Sequence, residues 1–399
     1  MAIDNNETWV SDILSKGFTS IEPGLQEIIQ QTINSGQLQV SHQLQAVAGS
    51  EVVIVCIPLS IDASQKVYAK PFLHSITQLA PYLQKQTVLI IETSVPVGFC
   101  KNEIVATLNA AGKVHGRDYY LAASPERIKS GTMLQQLLQV PKAIGGFDEE
   151  AGNVAYDVYK NYFSQEQLVL LPSLESAELM KLAGMIYRDV NIALSNQLAM
   201  YANALKVNFT DLIPLINADR EANLLQPGIG VAGHCTPVYP YFLIENFKQQ
   251  SLDFSLAATG RGINEGMPSY ALQSLLPQLK RKKVLLLGLS FRSQVKEDAR
   301  SIAYAVRDLL MEQNVSCSLH DPLYSKEEIE EKGFEYCGDI YQSDAEAIVI
   351  ITMHGEYRHI DWKKMAAQKL RFVVDGRNAL HVPSVTGAGI QYFGIGKTG

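Results

Sequence analysis

The chain has 399 residues, 47% of them apolar and 19% charged, a composition that argues against disorder and gives enough length for two or three packed domains. The 34 basic and 41 acidic residues leave a net charge of −7 with no basic block to neutralise a run of phosphates, which argues against a nucleic-acid partner. Five cysteines (Cys56, Cys100, Cys235, Cys317, Cys337) stand far apart without C-x-x-C spacing, so neither a disulfide framework nor a zinc site is expected.

The N-terminal MAIDNNETWVSDIL is acidic and lacks the basic flank and apolar run of a leader, and no apolar run elsewhere reaches membrane-spanning length. A cytoplasmic protein is the expectation. From residue 51, EVVIVCIPLS, a helix through KPFLHSITQLAPYLQ, and TVLIIETSVP alternate continuous apolar strands with an amphipathic helix, the mark of a parallel sheet covered on both faces. The pattern resumes at KKVLLLGLSF, passes through a helix near SIAYAVRDLLMEQ, and repeats at AEAIVIITM and KLRFVVDG. Two separate α/β domains are predicted.

Between them, SLESAELMKLAGMIYRDVNIALSNQLAMYANAL predicts about nine turns of helix, with Ser173 or Ser176 as its cap. Leu179, Leu182, Ile186, Val190 and Ala193 share one face, and Met185, Ile192 and Ala199 a patchier second one. Such a helix reads either as an interdomain spine that also makes a dimer contact, or as a helix buried within one chain.

Three residues could carry chemistry. Cys235, in PGIGVAGHCTPVYP, lies on a glycine-rich turn where backbone can approach a ligand, or is an ordinary buried cysteine. Lys181 on the long helix is held over a polar cleft or snorkels to solvent. Glu126, in AASPERIKSG, follows an apolar strand where loops carry ligand sites, or is a surface charge. A thiolate, a cation for oxyanion charge and a carboxylate to activate water would together suit acyl transfer through sulfur.

In order and spacing these segments resemble the UDP-glucose/GDP-mannose dehydrogenase family over nearly the whole chain. SIEPGLQEII is similar to the family's E-P-G-L segment, IIETSVPVGF to E-S-T-V-P-P-G-T, SPERIKSG to its S-P-E-R loop, and AELMKLAGMIYRDVNIALSNQLA to its central helix. PGIGVAGHCTPVYPYFL resembles its cysteine turn, RGINEGMPSY the segment after it, VLLLGLSFRSQVKEDAR the start of its nucleotide-sugar domain, and VVDGRNAL and YFGIGK its closing segments. The forms S-P-E-R, Y-R-D-V-N-I-A and G-H-C resemble the branch acting on UDP-N-acetylhexosamines.

The resemblance implies a four-electron oxidation of a sugar C6 alcohol to a carboxylate, with two NAD+ per turnover and a cysteine thiohemiacetal and thioester on the way. It casts Cys235 as nucleophile, Lys181 as oxyanion partner and Glu126 as the carboxylate that handles water. It places Asp4, Glu92, Ser94 and Pro58 at the cofactor, and Asn191, Arg188, Gly233, His234, Arg261, Arg292 and Arg300 at the UDP-sugar. It implies a homodimer through the central helix, with no metal. The fold expected is two Rossmann-like α/β domains joined by a long helix, in three parts: 1–170 dinucleotide-binding, 171–268 central and helical with the cysteine turn, 269–399 for the UDP-sugar.

Two departures stand out. The family begins with a strand and G-x-G-x-x-G, and the resemblance sets residue 1 near the end of the second strand, with roughly 30 residues of the usual βαβ unit absent before Asp4, so the first domain is expected to be N-terminally truncated. Gly228 and Gly230 belong to the cysteine turn, and the closing GIGKTG reads as a tail. In the site, Tyr239 stands where the family has an aspartate four residues after the cysteine, Met185 replaces the asparagine four residues after the helix lysine, and Arg292 replaces a lysine. Leu59-Ser60 stands for Thr-Pro and Thr93-Ser94 for the Ser-Thr pair. The alternative function is an impaired homologue that binds a UDP-sugar as scaffold or regulator, or that uses Cys235 and Lys181 without NAD.

Overall fold

The computed structural model describes every residue except Lys16, Ile21, Lys129, Lys280, Arg281 and Gly399. The chain divides into two compact units, Met1–Gly184 with Tyr241–Leu252, and Met185–Pro240 with Asp253–Gly399. Among the described residues no helix is long and apolar enough to cross a membrane.

The first unit is organised by a five-stranded sheet in the order Val52–Val55, Thr87–Ile91, Tyr119–Ala123, Lys142–Gly146, Leu168–Leu171. Its central strands, TVLII and YYLAA, are buried at every position, which is why they read as continuous apolar runs. The expected all-parallel sheet needs correcting at one place: Tyr119–Ala123 and Lys142–Gly146 run antiparallel through Ala122↔Gly146 and Ala123↔Gly145. The Ser-Pro-Glu-Arg loop folds back at the strand end instead of crossing the sheet, so both strands deliver side chains to that loop. Ala2–Ile3 pairs only with Val40–Ser41, in a separate two-stranded ladder.

In the second unit six strands are all parallel, in the order Glu335–Tyr336, Ser316–His320, Lys283–Leu287, Ala347–Ile350, Phe372–Asp375, Gln391–Gly394. Numbered along the chain this is 3-2-1-4-5-6, the doubly wound order. Successive side chains point to opposite faces, and both are covered: Leu285, Leu287, Ile348, Ile350 and Val373 enter one core, Val284, Leu286, Val349 and Val374 the other. The closing GIGKTG, expected as a tail, is instead built into this unit. The Gly396 carbonyl accepts the Phe209 N–H at 2.7 Å, Thr398 bonds Asn208, and Lys397 donates to the Leu380 carbonyl at 2.9 Å; Gly399 lies outside the described residues.

The long helix runs Leu174–Ala204, and the Ser173 hydroxyl accepts the Ser176 N–H at its start, so Ser173 is the cap. On the first face Leu182, Ile186 and Ala193 are buried as expected, but Leu179 is exposed, and Ala199 of the supposed second face is fully buried. Besides Leu179, Tyr187 and Met200, the exposed apolar positions are Leu194, Leu198 and Tyr201, at i, i+4 and i+7, with Leu205 just past the helix end at i+11. Tertiary packing chose a seam that the mean pattern hid, because small residues on the buried side diluted the helical period.

The strand Lys142–Gly146 ends in two glycines for a packing reason. A Cβ on Gly145 would stand 2.1 Å from the Ser173 carbonyl oxygen at the head of the long helix, a backbone atom that cannot rotate away. Gly145→Ala is therefore expected to cost about 2 kcal/mol or more and to lower the thermal midpoint of the first unit. Differential scanning calorimetry of the two proteins checks this; coincident melting curves would contradict it.

Candidate functional site

In the first unit the carboxyl ends of the strands converge on a charged cluster. Thr93, just past Thr87–Ile91, donates its hydroxyl to the Ile57 carbonyl at 2.7 Å and so ties the ends of two neighbouring strands. Glu92 beside it accepts from Lys142 Nζ at 2.6 Å and from the Tyr159 hydroxyl. The same Lys142 ammonium lies 3.1 Å from Glu126 Oε2. The other Glu126 oxygen accepts the backbone N–H groups of Arg127 and Ile128, the latter at 2.9 Å. Burial works to raise Glu126, but the Lys142 charge and these hydrogen bonds outweigh it and hold the carboxyl below its ordinary value.

Lys181 lies on the long helix with its side chain buried, and its ammonium donates to the Glu126 carbonyl oxygen. The structure thus brings two of the three sequence candidates together, and Lys181 does not snorkel. Two further carboxylates hold loops of this unit, one of them the Glu126 loop. Glu22, of the E-P-G-L segment, is buried and accepts N–H groups of Gly131 and Met133. Glu178, 1% exposed, accepts those of Gly98 at 2.6 Å and Cys100 at 3.0 Å, and burial raises its carboxyl. Sequence reasoning missed Lys142, Tyr159 and Glu178. No periodicity marks a single buried ion, although the placement of Lys142 after Val-Pro and before an apolar strand was a usable sign.

The expected cofactor residues take three forms. Asp4 follows Ala2–Ile3, half-buried, and its carboxylate accepts the Asn6 N–H at 2.9 Å. Ser94 is buried and Pro58 exposed, at the ends of adjacent strands. Glu92 is not an open acceptor, being shared by Lys142 and Tyr159.

In the second unit the stretch 228–233, which has the literal G-x-G-x-x-G spacing, is irregular; it neither leaves a strand nor opens a helix. Its residues are committed locally. Ile229 N–H bonds the Gly376 carbonyl, Gly233 N–H bonds the Ala299 carbonyl at 2.8 Å, and Gly233 sits at φ +103° with Phe291 against it, a conformation that favours glycine. The turn then presents Cys235, half-buried, whose carbonyl accepts the N–H groups of Val238 and Tyr239, and Tyr239 begins the helix Tyr239–Gln249. His234, largely exposed, is raised by its hydrogen bond to Glu297.

Among the substrate candidates, Arg261 is 4% exposed and ion-paired with buried Asp189 at 2.8 Å and with Glu265, so it braces two helices. Asn264 and Asn196 extend this network to the Gly228 N–H. Asn191 holds the loop at Asn223 and Leu225. Arg188 is half-buried, with a guanidinium nitrogen 4.0 Å from the Met185 sulfur. Arg292 is half-buried beside the Phe291 ring, and Arg300 is exposed at φ +49° in none of the ion pairs among the described residues.

The loop that carries Arg292 hangs on Asp321. This buried carboxylate accepts the N–H groups of Leu289 at 2.7 Å and Ser290 at 2.9 Å and pairs with His354 at 3.2 Å.

Charged and polar groups gathered past the carboxyl ends of α/β sheets, one of them doubly wound, are the arrangement of a nucleotide-binding α/β class. The comparisons sharpen this: the chain belongs to the UDP-glucose/GDP-mannose dehydrogenase family. Its NAD binding domain matches residues 1–163, its central domain 175–266 and its UDP binding domain 285–382. The chain is similar to UDP-N-acetyl-D-mannosamine dehydrogenase of Pyrococcus horikoshii, 30% identical over 94% of this chain and 88% of that one. It is likewise similar to that of Methanocaldococcus jannaschii, 29% identical over 96% and 87%. The solved P. horikoshii UDP-D-ManNAc dehydrogenase superposes with a TM-score of 0.86 at 28% identity, covering 99% of this chain and 92% of that one. The UDP-N-acetyl-mannosamine dehydrogenase of Staphylococcus aureus gives 0.81 at 27%, with the same coverage.

NAD is the cofactor this family implies. Asp4 and Ser94 stand past the ends of strands, where α/β sheets take such ligands, while the Thr93 hydroxyl is donated to the Ile57 carbonyl.

Burial works to raise Asp321, yet His354 and the backbone N–H groups hold it down to about 2. Its ordinary value is near ~4, so the stability it contributes is complete above about pH 4 and is lost as pH falls through about 2. Asp321→Asn should lower stability at neutral pH and flatten the acid-unfolding curve in that window. An acid-unfolding curve unchanged by the substitution would contradict the assignment.

Proposed function

We propose that this protein oxidises the C6 alcohol of a UDP-N-acetylhexosamine to the carboxylate, using Cys235, Lys181 and Glu126. The observation that carries the reading is the buried Lys181 ammonium, which donates to the backbone carbonyl of Glu126 and so stands on the loop that carries this carboxylate. Relatives named UDP-N-acetyl-D-mannosamine dehydrogenase support the substrate class.

NAD+ supplies the electron acceptor for both oxidations, so one alcohol, one water and two NAD+ give one carboxylate, two NADH and three protons. The chain's own groups do the rest. The Cys235 sulfur adds to the aldehyde carbon, and Lys181 stabilises the oxygen that gains charge. After the second oxidation the acyl group is a thioester on Cys235. Glu126 takes a proton from water as its oxygen bonds to the acyl carbon, and the carbon–sulfur bond breaks with its electron pair on sulfur. Tyr239 stands where the resemblance puts an aspartate, and a phenol is a weak base for the alcohol proton at neutral pH, so the first oxidation should be slow and faster at high pH.

We also propose a homodimer. Leu194, Leu198 and Tyr201 form one apolar seam on the long helix that Leu205 continues just past its end, all between 36% and 66% exposed and at the spacing with which two such helices interdigitate. Leu198→Glu combined with Tyr201→Glu should shift the sedimentation coefficient to that of a 44.0 kDa monomer without unfolding the chain. A wild-type protein that already sediments as a monomer at micromolar concentration would contradict this.

The activity is tested by NADH formation from UDP-N-acetylmannosamine and UDP-N-acetylglucosamine. Two NADH per sugar consumed is the expected stoichiometry, and Cys235→Ala should stop carboxylate formation. One NADH per sugar, or activity unchanged in Cys235→Ala, would overturn the thioester route.

A further inference from the structure

Glu126 is useful for water activation only if its carboxylate stays anionic and points one oxygen at the water. The backbone N–H groups of Arg127 and Ile128 fix one oxygen. The other meets Lys142, which arrives from a different strand, with a side chain only 7% exposed against 35% for Glu126. The carboxylate can therefore reach water while its cation cannot. Lys142 and Glu126 also line the same small cleft with Pro125, Arg127 and Pro141.

The remaining neighbours make this cation more than a strand tie. Glu92, from the end of Thr87–Ile91, shares the same ammonium at 2.6 Å. From the helix Glu149–Tyr159, the Tyr159 hydroxyl donates to Glu92, and the Lys142 ammonium sits 5.1 Å from its ring centre. Cys56, after Val52–Val55, is exposed. Arg127 turns its guanidinium to the Pro141 carbonyl and the Met180 sulfur, and Lys181 donates to the Glu126 carbonyl. Two carboxylates thus face one another across a single buried ammonium, and either would destabilise the other's charge without it.

We propose that Lys142 is a positioning residue for deacylation: its ammonium bridges Glu92 and Glu126 and keeps the Glu126 carboxylate oriented as the acceptor of a proton from water. This rests on the reading of Glu126 as the group that handles thioester hydrolysis. Lys142 touches neither substrate nor water; it acts through Glu126. Loss of its charge slows the hydrolytic half of the reaction and spares the steps before it, whereas a purely structural strand tie would weaken both halves alike.

The test compares Lys142→Met, Lys142→Arg and Glu92→Gln with wild type as full chains, by infrared titration of the carboxylate bands. The Glu126 band is identified by its absence in Glu126→Gln. The Glu126 midpoint should rise by about 1–2 pH units in Lys142→Met, return most of the way in Lys142→Arg, and fall in Glu92→Gln, where the ammonium serves Glu126 alone. In turnover with UDP-N-acetylmannosamine and NAD+, Lys142→Met should lower kcat by about 10- to 100-fold with KM little changed, and shift the acid limb of the kcat profile upward by the same interval. A Glu126 midpoint unmoved in both Lys142→Met and Glu92→Gln overturns the proposal whatever the kinetics. If Lys142→Met does not fold, Glu92→Gln and Lys142→Arg decide it. Absence of NADH from wild type would overturn the proposed activity instead, leaving the titration to judge Lys142.

Discussion

A buried ammonium needs carboxylates, and two adjacent carboxylates need a cation; Lys142 between Glu92 and Glu126 satisfies both requirements at once. The antiparallel turn of the sheet at Ala123 and Gly145 makes this meeting feasible, since it delivers the Glu126 loop and the strand of Lys142 to the same end. The glycines after that strand then let the long helix begin against the sheet, and the helix places Lys181 on the loop. Sheet register, helix entry and the charge of one carboxylate are consequences of a single local geometry.

The second unit solves a different problem with similar means. Its six parallel strands bury both faces, so function is left to the loops at the carboxyl ends. There a buried acceptor, Asp321, gathers two backbone N–H groups and a histidine, and so fixes the turn leading to Arg292. The cysteine turn is stiffened by Gly233 against Phe291 and by the asparagine network from Asp189 to Gly228. Arg261 belongs to that brace, with both charged partners inside the unit.

Much of the architecture was legible because the burial that forms a parallel sheet is written as unbroken apolar runs. TVLII, KVLLL, AIVI and FVVD all became strands at the expected places. The cap, left between Ser173 and Ser176, is Ser173, while the meeting of Lys181 with the Glu126 loop was implied by the family resemblance alone. What escaped was written in single letters. Glu178 and Tyr159 meet partners 80 and 67 residues away, and Lys142 opens a strand yet takes its partners from loops 50 and 16 residues before it. The exposed seam on the long helix escaped for a related reason, as apolar residues occur on several of its faces and only packing decides which remain outside. GIGKTG, expected as a tail, escaped because its place depends on a close approach of Gly396 to Ala199 and Phe209, far away in sequence.

The central claim is that Cys235 carries the acyl group and Glu126 releases it. Intact-mass analysis of Glu126→Gln after incubation with UDP-N-acetylmannosamine and NAD+ tests this most directly. The account predicts a stable adduct of one acyl group per chain, mapped to Cys235 and released by hydroxylamine. A mass unchanged from the untreated protein, while carboxylate product still forms at the wild-type rate, would contradict it.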